Sequence, residues 1–393
     1  MGFYLFRKMI RRLPGIVIKA VPLPEPVITE GFGTRLQAGR ICKERGYHSV
    51  LLVTDKVLYS LGFQESVIKS LEENGVSYKL FYNIDGEPTV GMVSEGRSAA
   101  EECRADCIIA LGGGAVMDTS KVIAASARNY RRRIGAYLTK FVLAKTLPMI
   151  NIPTTAGTGA EMTVGAVIKN AKGVKSSSVI VGLKVPDVIL DSELTVNAPS
   201  KVTLSCGIDA LSHGFEGCVA DVKTRDEDMK KSMECVRLVL ENLPALVDDP
   251  HNIDRRQKLC LAANYGGNAI NKQLAGYVHA FAHTIGAVYH ISHGEAIARC
   301  LLPVAKFQEN LCSEKLQALA VYCGCENAAG LFDKLEELIA LSGFAGGFSK
   351  IEEKDYPELI RLIDADSINY SPPKTFTDKE IVLILNRIKN GEK

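Results

Sequence analysis

The stretch 276–294, GYVHAFAHTIGAVYHISHG, holds four of the seven histidines in a 393-residue chain: His279, His283, His290 and His293. His279 and His283 are four residues apart, as are Asp209 and His213 in GIDALSHGFEG. On a helix that spacing puts each pair on one face. This is how a helix offers two ligands to one metal ion. Neutral imidazoles with one carboxylate and no thiolate suit divalent iron, zinc, cobalt, nickel or manganese. Three histidines and one aspartate leave such an ion with net positive charge, which stabilises an alkoxide. His293 is harder to place. In an unbroken helix it would lie about 21 Å along the axis from His279, whereas metal–ligand bonds are only about 2 Å long. Either His293 is not a co-ligand, or the chain breaks and turns back. Gly286 and the run AVYHISHG supply residues that weaken a helix there.

Two glycine-bearing turns carry a second kind of chemistry. ALGGGAVMDTSK reads as strand, three glycines, helix. Glycines let backbone N–H groups approach a phosphate, and the helix N-terminus behind them favours negative charge. The run is neither G-x-G-x-x-G nor a Walker loop, and a tight turn without a ligand has the same form. Asp118 lies one turn into that helix, where it can accept from turn amides or a ligand hydroxyl, or simply complement the helix dipole. Asp55 ends the run SVLLVTD. An acid at that place can hold an adenosine ribose diol and repel a 2′-phosphate; it can equally be a helix N-cap. NIPTTAGTGAEMT offers Thr154, Thr155 and Thr158 to phosphate or ribose.

The elements that must position these residues change texture along the chain. From 27 to 195, short apolar runs alternate with helical stretches: SVLLVTD, then GFQESVIKSLEENG, then SYKLFYNI, VSEGRSAAEECRA and DCIIALGGG. TLPMINIPTT and PDVILD read as later strands. Such alternation predicts a parallel sheet with helices on both faces. From 196 to 393 the apolar residues recur at i, i+3, i+4 and i+7, which predicts a helical domain. Residues 1–26 stand apart as an N-terminal extension. Pro372–Pro373 precede a last helix with Thr377 as its N-cap.

Bulk composition narrows the function classes. With 47% hydrophobic residues and a formal charge of +2, the chain gives no global reason to expect nucleic acid. No run of about 18 apolar residues is present, so no bilayer span is expected. Arg7, Lys8, Arg11 and Arg12 interrupt the apolar start MGFYLFRKMIRRLPG, which is therefore expected to be a short amphipathic helix packed on its own domain, not a secretory signal. Phe6 breaks the myristoylation pattern. The eleven scattered cysteines include no C-x-x-C pair, and reduced thiols in a cytoplasmic protein are expected.

The motifs, taken in order, resemble those of the iron-containing (group III) alcohol dehydrogenase family. GGGAVMDTSK resembles GGG-S-x-x-D-x-x-K, and IPTTAGTGAE resembles P-T-T-x-G-T-G-S-E. GIDALSHGFEG resembles G-x-D-A-x-x-H-x-x-E, and HAFAHTIGAVYHISHG resembles H-A-x-A-H-x-x-G-x(6)-H-G. The resemblance covers residues 27–390. It implies a dehydroquinate synthase-like fold: an α/β N-terminal domain with a parallel dinucleotide-binding sheet, an all-α C-terminal domain, and a cleft between them. It implies Asp209, His213, His279 and His293 as metal ligands and His283 as a residue for proton transfer or substrate orientation. It implies Asp55 as the position favouring NAD over NADP, and Gly113, Gly114, Ala115 and Asp118 at the pyrophosphate turn. Thr154, Thr155, Thr163, Lys175 and Leu194 match other cofactor-lining positions, whereas His290 matches none.

The chain departs from the family pattern in places. Ala115 and Ala160 replace serines, and Glu87 stands where an asparagine is usual near the nicotinamide ribose. RNYRRRIG puts four arginines, between Arg128 and Arg133, in a loop usually less basic; it reads as a solvated face, with a site for an anionic substrate or phosphate as the alternative. HGEAIAR resembles the HGEA of dehydroquinate synthases. The reading is a metal-dependent oxidoreductase that interconverts an alcohol and its aldehyde or ketone with NAD(H). Fe2+ is the implied ion, with Zn2+ or another divalent metal as the alternative. The partners implied are a small-molecule alcohol or aldehyde and further copies of the chain, as a homodimer or larger homo-oligomer. Lyase chemistry on the same fold is the alternative reading, although dehydroquinate synthases have a glutamate where this chain has Asp209.

Overall fold

The computed structural model describes residues 23–129, 131–171, 173–368 and 370–392. The basic start MGFYLFRKMIRRLPG, and with it the expected amphipathic helix, lies outside them, as does Tyr130 of the arginine loop. Among the described residues, 23–197 form one compact unit and 198–392 another.

The first unit is built from short runs of β-branched and apolar residues bounded by turns. Its strands, in chain order, are β1 (Val27–Glu30), β2 (Ser49–Asp55), β3 (Ser77–Ile84), β4 (Cys107–Gly112), β5 (Phe141–Leu143), β6 (Pro148–Pro153), β7 (Gly165–Lys169), β8 (Lys175–Val181) and β9 (Lys184–Leu190). Its helices are α1 (Ala38–Glu44), α2 (Lys56–Ser60), α3 (Glu65–Glu73), α4 (Val90–Glu102) and α5 (Gly114–Ser126). Six strands form a parallel sheet in the order β1-β9-β6-β4-β2-β3. Every residue of β4 is buried, as expected of a central parallel strand covered on both faces. On one face Val50, Leu52, Ile109, Leu111, Ile150, Ile152 and Ile189 pack with Ala38, Ile41 and Cys42 of α1 and Val67 and Leu71 of α3.

The winding direction reverses between β2 and β4. The chain leaves β2 for β3 on one side, then returns to place β4 on the other. Open α/β sheets bind ligands at the carboxyl ends of strands flanking such a reversal. Here those ends are Asp55 and Gly112.

The expected parallel sheet is not the whole of this unit. A second sheet has the order β5-β8-β7, and β7 pairs antiparallel with β8. The turn between them closes through Asn170 N donating to Val174 O and Gly173 N donating to Asn170 O, both at 2.9 Å.

The second unit is helical: α6 (Ser200–Val219), α7 (Asp226–Asn242), α8 (Ala245–Asp248), α9 (Ile253–Gln273), α10 (Tyr277–Tyr289), α11 (His293–Gln308), α12 (Ser313–Tyr322), α13 (Ala328–Leu341), α14 (Tyr356–Ser367) and α15 (Asp378–Asn390). It contains no strand among its described residues. No helix is long and apolar enough to cross a membrane among the described residues.

Thr377 caps α15 in a reciprocal box: its hydroxyl accepts from Glu380 N at 3.3 Å, and the Glu380 carboxylate accepts from Thr377 N at 2.8 Å. Thr377→Ala is expected to cost about 1 kcal/mol of stability. A urea titration reads this directly, and an unshifted midpoint would deny the cap that role.

Candidate functional site

Asp209, His213 and Glu216 lie along one face of α6, at i, i+4 and i+7. His279 and His283 lie on α10, and His293 opens α11. The chain break that the spacing demanded is present. Helix α10 ends at Tyr289, His290 takes a left-handed φ of 55°, and the Ser292 side chain caps α11. His290 is thus the pivot of the reversal. Helix α11 approaches α6 so closely that a Cβ on Gly294 would lie 1.8 Å from Ser205 Oγ, so only glycine fits beside His293.

Three imidazoles converge on one carboxylate oxygen. Asp209 Oδ1 lies 3.1 Å from His293 Nε2 and 3.6 Å from both His213 Nε2 and His279 Nε2. Ligand atoms of Asp209, His213 and His279 all lie within 4.8 Å of one another. Bonds of about 2 Å to a common ion separate neighbouring ligand atoms by roughly 3–3.5 Å. His279 Nε2 is buried without a hydrogen-bond partner. The donor set and this orphaned ring nitrogen fit a divalent cation.

The charges of these groups follow from burial and from one another. Burial opposes ionisation of Asp209, but the surrounding imidazoles, with hydrogen bonds from His279 and His293, hold its carboxyl well below the usual range. Burial pushes the His213 imidazole down to about 3, so it is neutral. Burial also works against a charge on His279, but the Glu216 and Asp209 carboxylates outweigh it and raise the imidazole to about 10. Glu216 Oε2 lies 2.5 Å from His279 Nδ1, and Glu216 Oε1 accepts from Val278 N at 2.7 Å.

A cation bound at His279 Nε2 would have to displace the proton that the two carboxylates favour there. Apparent metal affinity is expected to rise with pH below about 10, approaching tenfold per unit for one proton. Competition titrations at two pH values would show it; a pH-independent affinity would mean that His279 holds no displaceable proton.

His283 is more exposed, with 45% of its side chain accessible. Its ring stands 5.7 Å from that of His279 and 5.2 Å from that of His293. Its Nδ1 meets Asp366 Oδ2 at 2.8 Å and the Tyr370 hydroxyl at 3.1 Å.

In the first unit the two glycine turns touch. Thr154 N donates to Gly112 O at 3.2 Å. Cβ atoms built on Gly113 and Gly114 would reach the side chains of Thr155 and Thr158 at 3.5 and 3.4 Å. Gly113 is the N-cap of α5, with no side chain capping it, and Ala115 sits in the helix's first turn. Asp55 ends β2 and caps α2, accepting from Leu58 N at 2.8 Å.

Asp118 accepts from Val167 N at 2.9 Å and pairs with Lys121 at 3.1 Å. The buried Lys121 ammonium also donates to Thr163 Oγ1 at 2.9 Å and to Gly165 O at 2.7 Å. All three of its hydrogens are thus directed, and α5 is tied to β7. Lys175 lies on β8 and pairs with Glu87 at 2.5 Å, beside Lys169, which pairs with the same carboxylate. Leu194 packs into the apolar core with Val50 and Leu52 of β2 and Ile109 and Leu111 of β4.

Four residues here were not singled out from the sequence. Glu216 and Lys121 stand inside the motifs GIDALSHGFEG and GGGAVMDTSK, at helical spacing from Asp209 and Asp118. Asp366 and Tyr370 carry no local signal.

Residues 25–192 match the family described as iron-containing alcohol dehydrogenase, and residues 203–389 match the Fe-containing alcohol dehydrogenase family, C-terminal. The chain is 30% identical over 372 residues to the NAD-dependent methanol dehydrogenase of Bacillus methanolicus, covering 92% of this chain and 97% of that protein. It is 29% identical over 364 residues to the 1,3-propanediol dehydrogenase of Citrobacter freundii, covering 89% and 93%. Among solved structures, the sulfoacetaldehyde reductase of Bifidobacterium kashiwanohense in complex with NAD+ is similar with a TM-score of 0.87 at 27% identity, covering 94% of this chain and 98% of that one.

Proposed function

The chain belongs to the iron-containing alcohol dehydrogenase family, and on that premise we propose that Asp209, His213, His279 and His293 hold its divalent ion and that His283 serves proton transfer. It is an oxidoreductase that interconverts an alcohol and its aldehyde or ketone with NAD(H). The observation that carries the ligand assignment is the convergence of three imidazole nitrogens on Asp209 Oδ1, within 3.1–3.6 Å.

When bound, a divalent ion lowers the pKa of an alcohol or polarises a carbonyl, and nicotinamide carries the hydride. The chain's own residues prepare these groups. Asp209 supplies the anionic ligand and His213 a neutral one. Glu216 orients His279 through Nδ1, turning Nε2 toward Asp209. His283, bordering the ligand histidines, takes or returns the substrate proton. The Gly113–Gly114 turn and the α5 N-terminus suit a pyrophosphate, with Thr154, Thr155, Thr163 and Asp118 around it. Ferrous iron is our choice of ion on the family's account, and the donor set also accommodates zinc.

Asp55 supports a preference for NAD over NADP, because its carboxylate at the end of β2 would repel a 2′-phosphate. Asp55→Ser is expected to shift the kcat/KM ratio toward NADP by about tenfold or more, from Coulomb repulsion at partly screened distances. An unchanged ratio would remove Asp55 from cofactor selection. We also place the protein in the cytoplasm, where the absence of any disulfide among its eleven cysteines suits a reducing compartment, and as a homo-oligomer in keeping with its family.

The test is a panel of aldehydes with NADH and metal-reconstituted protein. Loss of NADH absorbance with at least one aldehyde is expected. Metal-loaded protein that consumes no NADH but eliminates phosphate from a sugar-acid phosphate would favour the lyase reading.

A further inference from the structure

Helix α14 ends at Ser367, whose O accepts from Tyr370 N at 3.1 Å. The Tyr370–Ser371 segment is anchored through both backbone groups of Ser371: its N donates to Ala275 O at 3.0 Å, and its O accepts from Asp221 N at 2.9 Å. It carries the Tyr370 hydroxyl to Asp366, where it donates to Oδ2 at 3.0 Å. The same Oδ2 lies 2.8 Å from His283 Nδ1, and the Tyr370 oxygen lies 3.1 Å from that nitrogen. Three polar groups thus meet around one ring nitrogen.

Their hydrogens can be assigned from chemistry alone. An ionised carboxylate only accepts. The tyrosine directs its one hydrogen to Oδ2, so the hydrogen between Nδ1 and this pair belongs to the imidazole. In neutral His283, Nε2 then carries the lone pair. We propose that Asp366 and Tyr370 are positioning residues that hold His283 in the Nδ1–H tautomer, with Nε2 as the atom that accepts the substrate proton. The catalytic half of this inference rests on the reading of His283 as the proton-transfer residue; the tautomer does not.

The two partners act in opposite senses once separated. Without Asp366, the Tyr370 hydroxyl is released to donate to Nδ1, and the imidazole hydrogen moves to Nε2. Asp366→Ala therefore inverts the tautomer. Tyr370→Phe keeps the carboxylate and keeps the tautomer. The double variant loses both directing groups and gives a mixture. Asp366→Asn, with a carbonyl oxygen to accept from Nδ1, retains the wild-type tautomer.

The test uses full-length, zinc-loaded protein with 15N-labelled histidine. Nitrogen NMR reports the tautomer, and the His283 signals are assigned by their loss in His283→Gln. The expected result is Nδ1–H in the wild type, Tyr370→Phe and Asp366→Asn, and Nε2–H in Asp366→Ala. With metal content matched, Asp366→Ala is expected to lower kcat by about 10²-fold with the KM for NAD unchanged, and Asp366→Asn to recover most of it. A wild-type Nε2–H, or an Asp366→Ala protein that keeps Nδ1–H, would overturn the proposal. Absence of turnover in the wild type with every aldehyde would refute the dehydrogenase reading and leave the tautomer result standing.

Discussion

Replacing His279 by alanine is expected to leave the protein unable to retain a divalent ion and to lower kcat/KM by at least about 10³-fold, since such an ion supplies several kcal/mol of charge stabilisation. Two losses coincide in this variant. The nest loses Nε2, the buried ring nitrogen that has no other partner. Glu216 loses the imidazole beside its Oε2 and keeps only Val278 N on Oε1. Removing one member of a buried charged pair costs about 3–5 kcal/mol, so stability must be measured alongside activity. Metal analysis of folded protein separates the two effects. If His279→Ala protein binds metal and turns over as the wild type does, the ligand assignment is wrong.

Glu216→Gln is expected to weaken metal binding by about 10–100-fold, without removing any ligand. The reason lies in hydrogen placement. Glu216 accepts at both oxygens, from Val278 N at 2.7 Å and from His279 Nδ1 at 2.5 Å. A glutamine accepts at only one of those positions. If its oxygen stays with Val278 N, its amide group faces Nδ1, which must then accept, and the imidazole hydrogen moves to Nε2. That nitrogen is the one turned toward Asp209, and a protonated nitrogen cannot ligate. Isothermal titration of the metal-free variant measures the loss. Affinity equal to that of the wild type would show that Glu216 only packs. Activity should return in part at high metal concentration, which distinguishes this variant from His279→Ala.

What the sequence made legible and what it hid have physical causes. The strands SVLLVTD and DCIIALG are dense apolar runs because both faces of a central parallel strand are buried. The pairs Asp209/His213 and His279/His283 announce themselves because helical spacing is local. That the chain must break if His293 is to join His279 at one ion follows from distance. That the pivot is His290 does not, because a left-handed non-glycine residue has little compositional signature. The hairpin of β7 and β8 is hidden in the sequence because Ser176, Ser177 and Ser178 dilute the apolar contrast of β8. Lys121 gives no sign of its role because lysine is ordinarily exposed, yet here it is fully buried among three acceptors. Asp366 and Tyr370 reach His283 across 83 and 87 residues. No local pattern records such a contact.

The most direct measurement is a metal-depletion and reconstitution series on the wild-type protein and on His279→Ala. Chelation should abolish aldehyde-dependent NADH oxidation by the wild type. Ferrous ion should restore it in proportion to occupancy, saturating at one ion per chain, and should restore nothing in His279→Ala. Undiminished activity in the fully stripped wild type, or equal recovery in the variant, would contradict the assignment of Asp209, His213, His279 and His293 as the seat of the reaction.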